Sequence, residues 1–218
     1  MLAFDDGGQP RPWPSVTVYH PERLIMSAAE KLPELMTVAE FLAWKGDGTG
    51  RRYELVDGVL RAQDSASDTH GTIQNRIGHL LTTHLDRTQP NCRVVTAPGI
   101  QPNLRANWNH RIPELAVTCT PTRADVHRTP NPILIVEVLS PSNASDTWNN
   151  VALFATLPSV TEILVVDSTK LEAQLLRRGA DGAWPENPAL FGPGEVLHLE
   201  SIAFTLPLAE AYRGTHLA

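Results

Sequence analysis

The sequence predicts an α/β fold, α+β in its ordering, centred on a mixed or antiparallel sheet. Three observations carry this: an amphipathic helical stretch over residues 68 to 87, a series of short β-branched and aliphatic runs punctuated by turn formers, and a length of 218 residues, enough for one full hydrophobic core. No internal repeat interrupts the pattern.

Residues 1 to 35 hold Pro10, Pro12, Pro14, Pro21 and Pro33 with little periodicity, so an extended amino-terminal arm is expected. MTVAEFLAWKG then changes the pattern: Thr37 and Glu40 have capping-box spacing for a short helix that Gly46 ends. RRYELVDGVLRAQ alternates around Asp57-Gly58 and reads as a hairpin, with Tyr53 expected on the core side of its strand. In DTHGTIQNRIGHLLTTHLDR, Ile73, Ile77, Leu80, Leu81 and Leu85 fall on one helical face, and His70 starts that face. CRVVTAPGIQPN, IPELAVTCT and ILIVEVLS read as strands. A helix is expected from about Ser145 to Leu157, then a strand pair from EILVVDS and AQLLRRG. EVLHLESI and FTLPLAEAY give a final strand and a short helix. The main domain spans 36 to 212, and residues 213 to 218 form a tail.

No apolar run reaches the length of a membrane span, and the acidic, proline-rich start has no secretory pattern, so the cytoplasm is the expected compartment. Cys92 and Cys119 lack metal-ligand spacing and read as buried free thiols. The net charge of -6 excludes a broad nucleic-acid-binding surface, leaving room for local patches such as Arg51-Arg52. No P-loop, nucleophile elbow or Gly-rich dinucleotide turn is present.

The informative residue is Glu137, a carboxylate inside the apolar run ILIVEVLS. The strands IPELAVTCT and ILIVEVLS are joined by turn formers and pair antiparallel; if Thr118 faces Ile133, then Glu114 faces Glu137, with β-carbons about 4.5 to 5.5 Å apart. Two opposed carboxylates repel, and a divalent cation such as Mg²⁺ relieves the repulsion. The alternative reading pairs Glu137 with an arginine such as Arg111 or with a turn.

YELVDG, SDTH opening a helix, IPELAV, PILIVEVLSPS, the D-x3-N-x3-F spacing and TEILVVD, in that order, resemble the Uma-two family, often labelled putative restriction endonucleases, within the PD-(D/E)XK nuclease-like superfamily. The likeness covers roughly residues 36 to 212. It implies a restriction-endonuclease-like mixed β-sheet flanked by helices, and Mg²⁺- or Mn²⁺-dependent phosphodiester hydrolysis on DNA. It further implies that Glu114, Glu137 and the main-chain carbonyl of Val138 hold the metal, with Glu54 completing the acidic set. Glu114 stands where the family usually has aspartate. The superfamily lysine falls on Leu139, and the family's helix lysine falls on Asn150, which cannot supply positive charge. On residue pattern alone Asn150 is a helix-surface residue. His70 could approach the acids as a substitute base, the plainer reading being a buried histidine bonded to backbone. Lys170 is expected at the far end of its strand, and His79, His84, His110 and His127 read as surface or structural. Three functions follow: a metal-dependent DNA endonuclease, a non-catalytic nucleic-acid or protein interaction module keeping the fold, and a homodimeric structural or regulatory protein. A homo-oligomer, most simply a dimer, is expected in each case.

Overall fold

The computed structural model describes residues 35 to 124 and 127 to 218. The proline-rich arm therefore lies outside the described residues except for Leu35. Helix α1 (Val38–Ala43) is closed by the capping box: the Glu40 N–H donates to Thr37 Oγ1, and Glu40 Oε2 accepts from the Thr37 N–H at 2.7 Å. Strands β1 (Tyr53–Val56) and β2 (Val59–Ala62) form the expected hairpin. Asp57 and Gly58 both take positive φ, 51° and 86°, as a two-residue hairpin turn of this hand requires. Gly58 is needed twice over, because a β-carbon there would meet the Trp108 ring at 2.9 Å. Tyr53 is half-buried, not core: its hydroxyl donates to Asp47 and its ring meets Trp44 edge-on.

Helix α2 (Asp68–Thr88) starts at Ser67, whose hydroxyl accepts from the His70 N–H at 3.2 Å. It buries His70, Ile73, Ile77, Leu81 and Leu85. Each of the aliphatic side chains contributes about 1.5 to 3 kcal/mol by leaving water.

The central sheet has six strands in the order β3 (Arg93–Thr96), β4 (Leu115–Thr118), β5 (Pro132–Leu139), β6 (Glu162–Asp167), β7 (Ala173–Arg177) and β8 (Ala189–Phe191). Only β5 and β6 run parallel, joined by helix α3 (Ala144–Phe154); the remaining neighbours are antiparallel. The period of two sorts β5 between two cores. Leu134, Val136 and Val138 join α2 in one cluster, which the hairpin-paired strands β9 (Val196–Leu199) and β10 (Phe204–Pro207) and helix α4 (Leu208–Tyr212) complete. Ile135 and Leu139 join α3 residues Val151 and Phe154 in the other. Glu137 has the parity of this second face. The carboxy-terminal residues are not detached, since Leu217 packs against the first cluster.

Two expectations are corrected here. Cys92 and Cys119 form a disulfide: the β3–β4 register pairs Arg93 with Thr118, which puts the flanking cysteines opposite each other with Cα atoms 3.9 Å apart. Ligand spacing along the chain carried no information about that cross-strand pairing. Thr118 faces Pro132 rather than Ile133, because β4 slips by one residue after Val117, where the Thr118 hydroxyl turns to donate to the Pro130 carbonyl at 2.7 Å. The rest of β4 keeps the expected register, Leu115 opposite Val136. The ladder ends at that pair: Glu114, one residue before β4, lies in a bend, from which its charge and its main-chain amide both act on Glu137.

Candidate functional site

A pocket of about 780 Å³ opens where the β1–β2 hairpin, the start of α2, the strand ends of β4 and β5 and the start of α3 meet. Glu54, His70, Glu114, Glu137 and Asn150 all line it. Five residues spread over nearly a hundred positions of sequence thus converge, each placed by a different element.

Glu137 is 5% exposed, and its Oε1 is buried without a hydrogen-bond partner. Burial, then the charges of Glu114 and Glu54, raise its carboxyl well above the usual range; the Asn150 amide and the Glu114 main-chain amide oppose this without cancelling it. A carboxylate in this state is what the sequence poses as a question, and Arg111 does not answer it: that guanidinium makes no ion pair with Glu137. Glu114 is held by His70, whose Nε2 lies 2.7 Å from Glu114 Oε1. His70 is therefore buried, as the plainer reading has it, but bonded through its ring to a carboxylate rather than to backbone. Glu54 Oε1 accepts from the Ile112 N–H at 2.7 Å, and burial raises its carboxyl too, against that bond and the nearby Arg111 charge. Val138 is the next residue along β5, beyond the last pair that β4 makes with β5.

The donor set decides what could be held here. Among the described residues no group of three or more His, Cys, Asp or Glu side chains stands close enough to hold a metal ion. Glu54 lines the pocket with its Oε1 committed to the Ile112 N–H. The Glu114 and Glu137 pair remains, with one buried unpartnered oxygen on Glu137. That fits a hard cation such as Mg²⁺, which commonly takes one or two protein carboxylates and fills its other positions with water and substrate oxygens. It does not fit a closed structural site of four protein ligands.

Asn150 is 8% exposed and inside the site, not on the helix surface. Its Oδ1 accepts from Arg111 Nη1 at 3.0 Å. Arg111, 4% exposed, also donates through Nε and Nη2 to Asn109 Oδ1, at 3.2 and 3.0 Å. Asn109 is anchored in turn, its Nδ2 donating to Asp57 Oδ1 at 2.9 Å and its Oδ1 accepting from the Asp57 N–H at 3.0 Å. Reciprocal main-chain bonds hold this segment between the hairpin and the residue-100 loop: Leu55 with His110, and Ile100 with Arg111. Asn109 carried no sequence signal, and Arg111 had one only as a partner for Glu137. Lys170 is bound to Glu172 at 2.7 Å and does not line the pocket. His79 is exposed; His84 is bonded to the Ile202 carbonyl; His110 is buried beside Phe41. These three fit surface or structural roles.

Comparison with known proteins adds the following. The family model Uma2, described as "Putative restriction endonuclease", matches residues 38 to 209. The "Uncharacterized protein slr1290" of Synechocystis sp. is 30% identical over 177 residues, which is 80% of this chain and 90% of that protein. A crystal structure described as a putative nuclease belonging to DUF820, from Anabaena variabilis, superposes with a TM-score of 0.67 at 15% identity, covering 81% of this chain and 97% of the other. The last likeness establishes the fold alone: a mixed sheet flanked by helices, shared with that protein.

Proposed function

This chain belongs to the Uma2 family, and on that premise we propose that it is a divalent-metal-dependent DNA endonuclease that hydrolyses phosphodiesters in the pocket around Glu114 and Glu137. The observation that carries the reading is the buried Glu137 carboxyl beside Glu114, with Oε1 unpartnered. Such an arrangement is costly to a fold that makes no use of it.

Glu114 and Glu137, with the main-chain carbonyl of Val138, would hold Mg²⁺ or Mn²⁺. Bound there, the ion supplies a water of lowered pKa and neutralises charge on the phosphate. His70 fixes the Glu114 carboxylate through the 2.7 Å bond and so sets the direction of its free oxygen. Glu54 adds negative charge that favours a cation beside Glu137 over an empty, ionised pair. Arg51, Arg52 and Arg61 line the same pocket on the hairpin side and offer phosphate contacts along a DNA backbone, a local basic edge on an acidic protein. DNA is the partner in this reading, and the working unit is a dimer.

Conversion of supercoiled plasmid in Mn²⁺, abolished by chelator and by Glu137→Ala, is the expected result. Cleavage that survives Glu137→Ala removes the reading. The neutral Asn150 favours a second reading, a fold that binds metal or DNA after its chemistry has decayed. Mn²⁺ binding by calorimetry without cleavage, and cleavage gained in Asn150→Lys, would support that alternative.

A further inference from the structure

The lysine of the helix position is absent, yet the pocket wall holds a cation. Arg111 is buried, and its three hydrogen bonds go to neutral amide oxygens, two to Asn109 and one to Asn150. Among the described residues no carboxylate stands within ion-pair distance of it. Buried arginines are ordinarily paired with an acid, because an unpaired buried charge is costly. Here the guanidinium is instead solvated by amides. Glu54, Asp57 and Asp146 act on it only through space.

The geometry has three consequences. Amide oxygens fix the guanidinium plane without neutralising it, so its charge stays available to the pocket it lines. A guanidinium carries five N–H donors, and among the described residues three are used, which leaves two for an anionic oxygen. The position of Asn150 also acquires a reason: an ammonium at that place would face Arg111 with like charge, whereas the Asn150 amide can accept from Arg111 and still stand beside Glu137.

We propose that Arg111 provides, from the segment leading into β4, the positive charge that the α3 lysine would otherwise provide, and that Asn150 is the positioning residue that holds the guanidinium at the pocket wall. This rests on the nuclease reading of the pocket. Its ligand is a phosphodiester oxygen, and the charge it offsets is the negative charge that grows on that oxygen as water adds to phosphorus and gives up a proton to solvent while the bond to the leaving sugar oxygen breaks and that oxygen takes a proton from solvent.

Four proteins separate this inference from the reading beneath it: wild type, Arg111→Gln, Asn150→Lys and the double variant Arg111→Gln/Asn150→Lys. Each is assayed for Mn²⁺ affinity by calorimetry and for plasmid cleavage in Mn²⁺. Arg111→Gln is expected to lose cleavage by about 100-fold or more, the loss typical of one removed charge-stabilising donor. It is also expected to bind Mn²⁺ about tenfold more tightly, because a positive charge has left the neighbourhood of the carboxylates. Asn150→Lys alone is expected to bind Mn²⁺ more weakly and to cleave no better than wild type, and the double variant to recover cleavage relative to Arg111→Gln. Arg111→Met serves if the glutamine variant does not unfold cooperatively.

The inference is overturned if Arg111→Gln cleaves like wild type, or if the folded variant binds Mn²⁺ no more tightly than wild type, since a purely structural arginine predicts unchanged or weaker binding. Gain of cleavage in Asn150→Lys with Arg111 intact overturns it too. Failure of the underlying reading looks different: wild type then shows no Mn²⁺-dependent cleavage, while the affinity comparison still decides whether the Arg111 charge faces the acids.

Discussion

Replacing Glu137 by glutamine keeps its shape and removes its charge, and the expected consequence for stability changes sign with the metal. In the metal-free protein the Glu137 carboxyl is buried, repelled by Glu114 and Glu54, and has one oxygen without a partner. An uncompensated buried charge costs about 3 to 5 kcal/mol. The Asn150 amide and the Glu114 main-chain amide return part of this, so Glu137→Gln is expected to stabilise the chelated protein at pH 7.5 by about 2 kcal/mol, or about 4 to 8 °C in Tm for a domain of this size. Because the folded pKa of Glu137 is raised, its neutral form contributes stability that is fully present below the unfolded value near 4.5 and is lost as pH rises through the folded value. The variant's advantage over wild type should therefore vanish near pH 4. With Mn²⁺ at 100 times its Kd the wild type gains about 2.7 kcal/mol and the variant nearly nothing. Urea unfolding in chelator and in Mn²⁺, at pH 4.5 and 7.5, reads all of this. A Glu137→Gln protein less stable than wild type in chelator at pH 7.5 would refute the reasoning, because the carboxylate would then be a satisfied structural group.

Two further outcomes test the scaffold. The Cys92–Cys119 bridge closes a loop of 27 residues' separation, for which chain-entropy arguments give about 3.5 kcal/mol; Cys92→Ser/Cys119→Ser should fall by about that amount in denaturant under non-reducing conditions, and dithiothreitol should have no effect on the variant. Burial lowers the His110 imidazole to about 4, so its contribution is present above pH 6.5 and is lost as pH falls towards 4. The unfolding free energy of wild type should drop by roughly 3 kcal/mol across that window from this group, a slope that His110→Gln removes and that an NMR titration of the ring checks directly.

The parts of this molecule that were legible in the sequence are those whose determinants are local or periodic. Asp57-Gly58 specifies its turn by backbone freedom alone, Thr37 and Glu40 cap α1 through atoms three residues apart, and the α2 stripe states its buried face. That Glu114 and Glu137 come to one pocket was legible because an antiparallel ladder has a constant index sum, although the bend that takes Glu114 out of the ladder and the slip at Thr118 were not, the latter depending on how the Pro130 carbonyl is satisfied. The β9–β10 pairing was compressed because its link through Glu200 to Ala203 has no turn signal of the Asp-Gly kind, and the edge strand β8 was missed because it is only three residues long and stands well beyond the Asp181-Gly182 turn. Cys92 and Cys119, read as free thiols, needed the β3–β4 register. Arg111 needed three separate segments: the hairpin that anchors Asn109, the Ile100 bridge that aims the main chain, and the α3 turn that offers Asn150. No spacing rule connects these. A neutral residue at the expected lysine position marked where to look without indicating that Arg111 lines the same pocket.

The most direct measurement of the central claim is nicking of supercoiled plasmid by the purified full chain, stripped of metal and then supplied with Mn²⁺, beside Glu114→Gln and Glu137→Gln prepared identically. Metal-dependent nicking by wild type that either carboxamide reduces by about 100-fold or more is the expected result. Nicking of equal rate in all three proteins would contradict it, and would place any hydrolysis outside the pocket these two glutamates share.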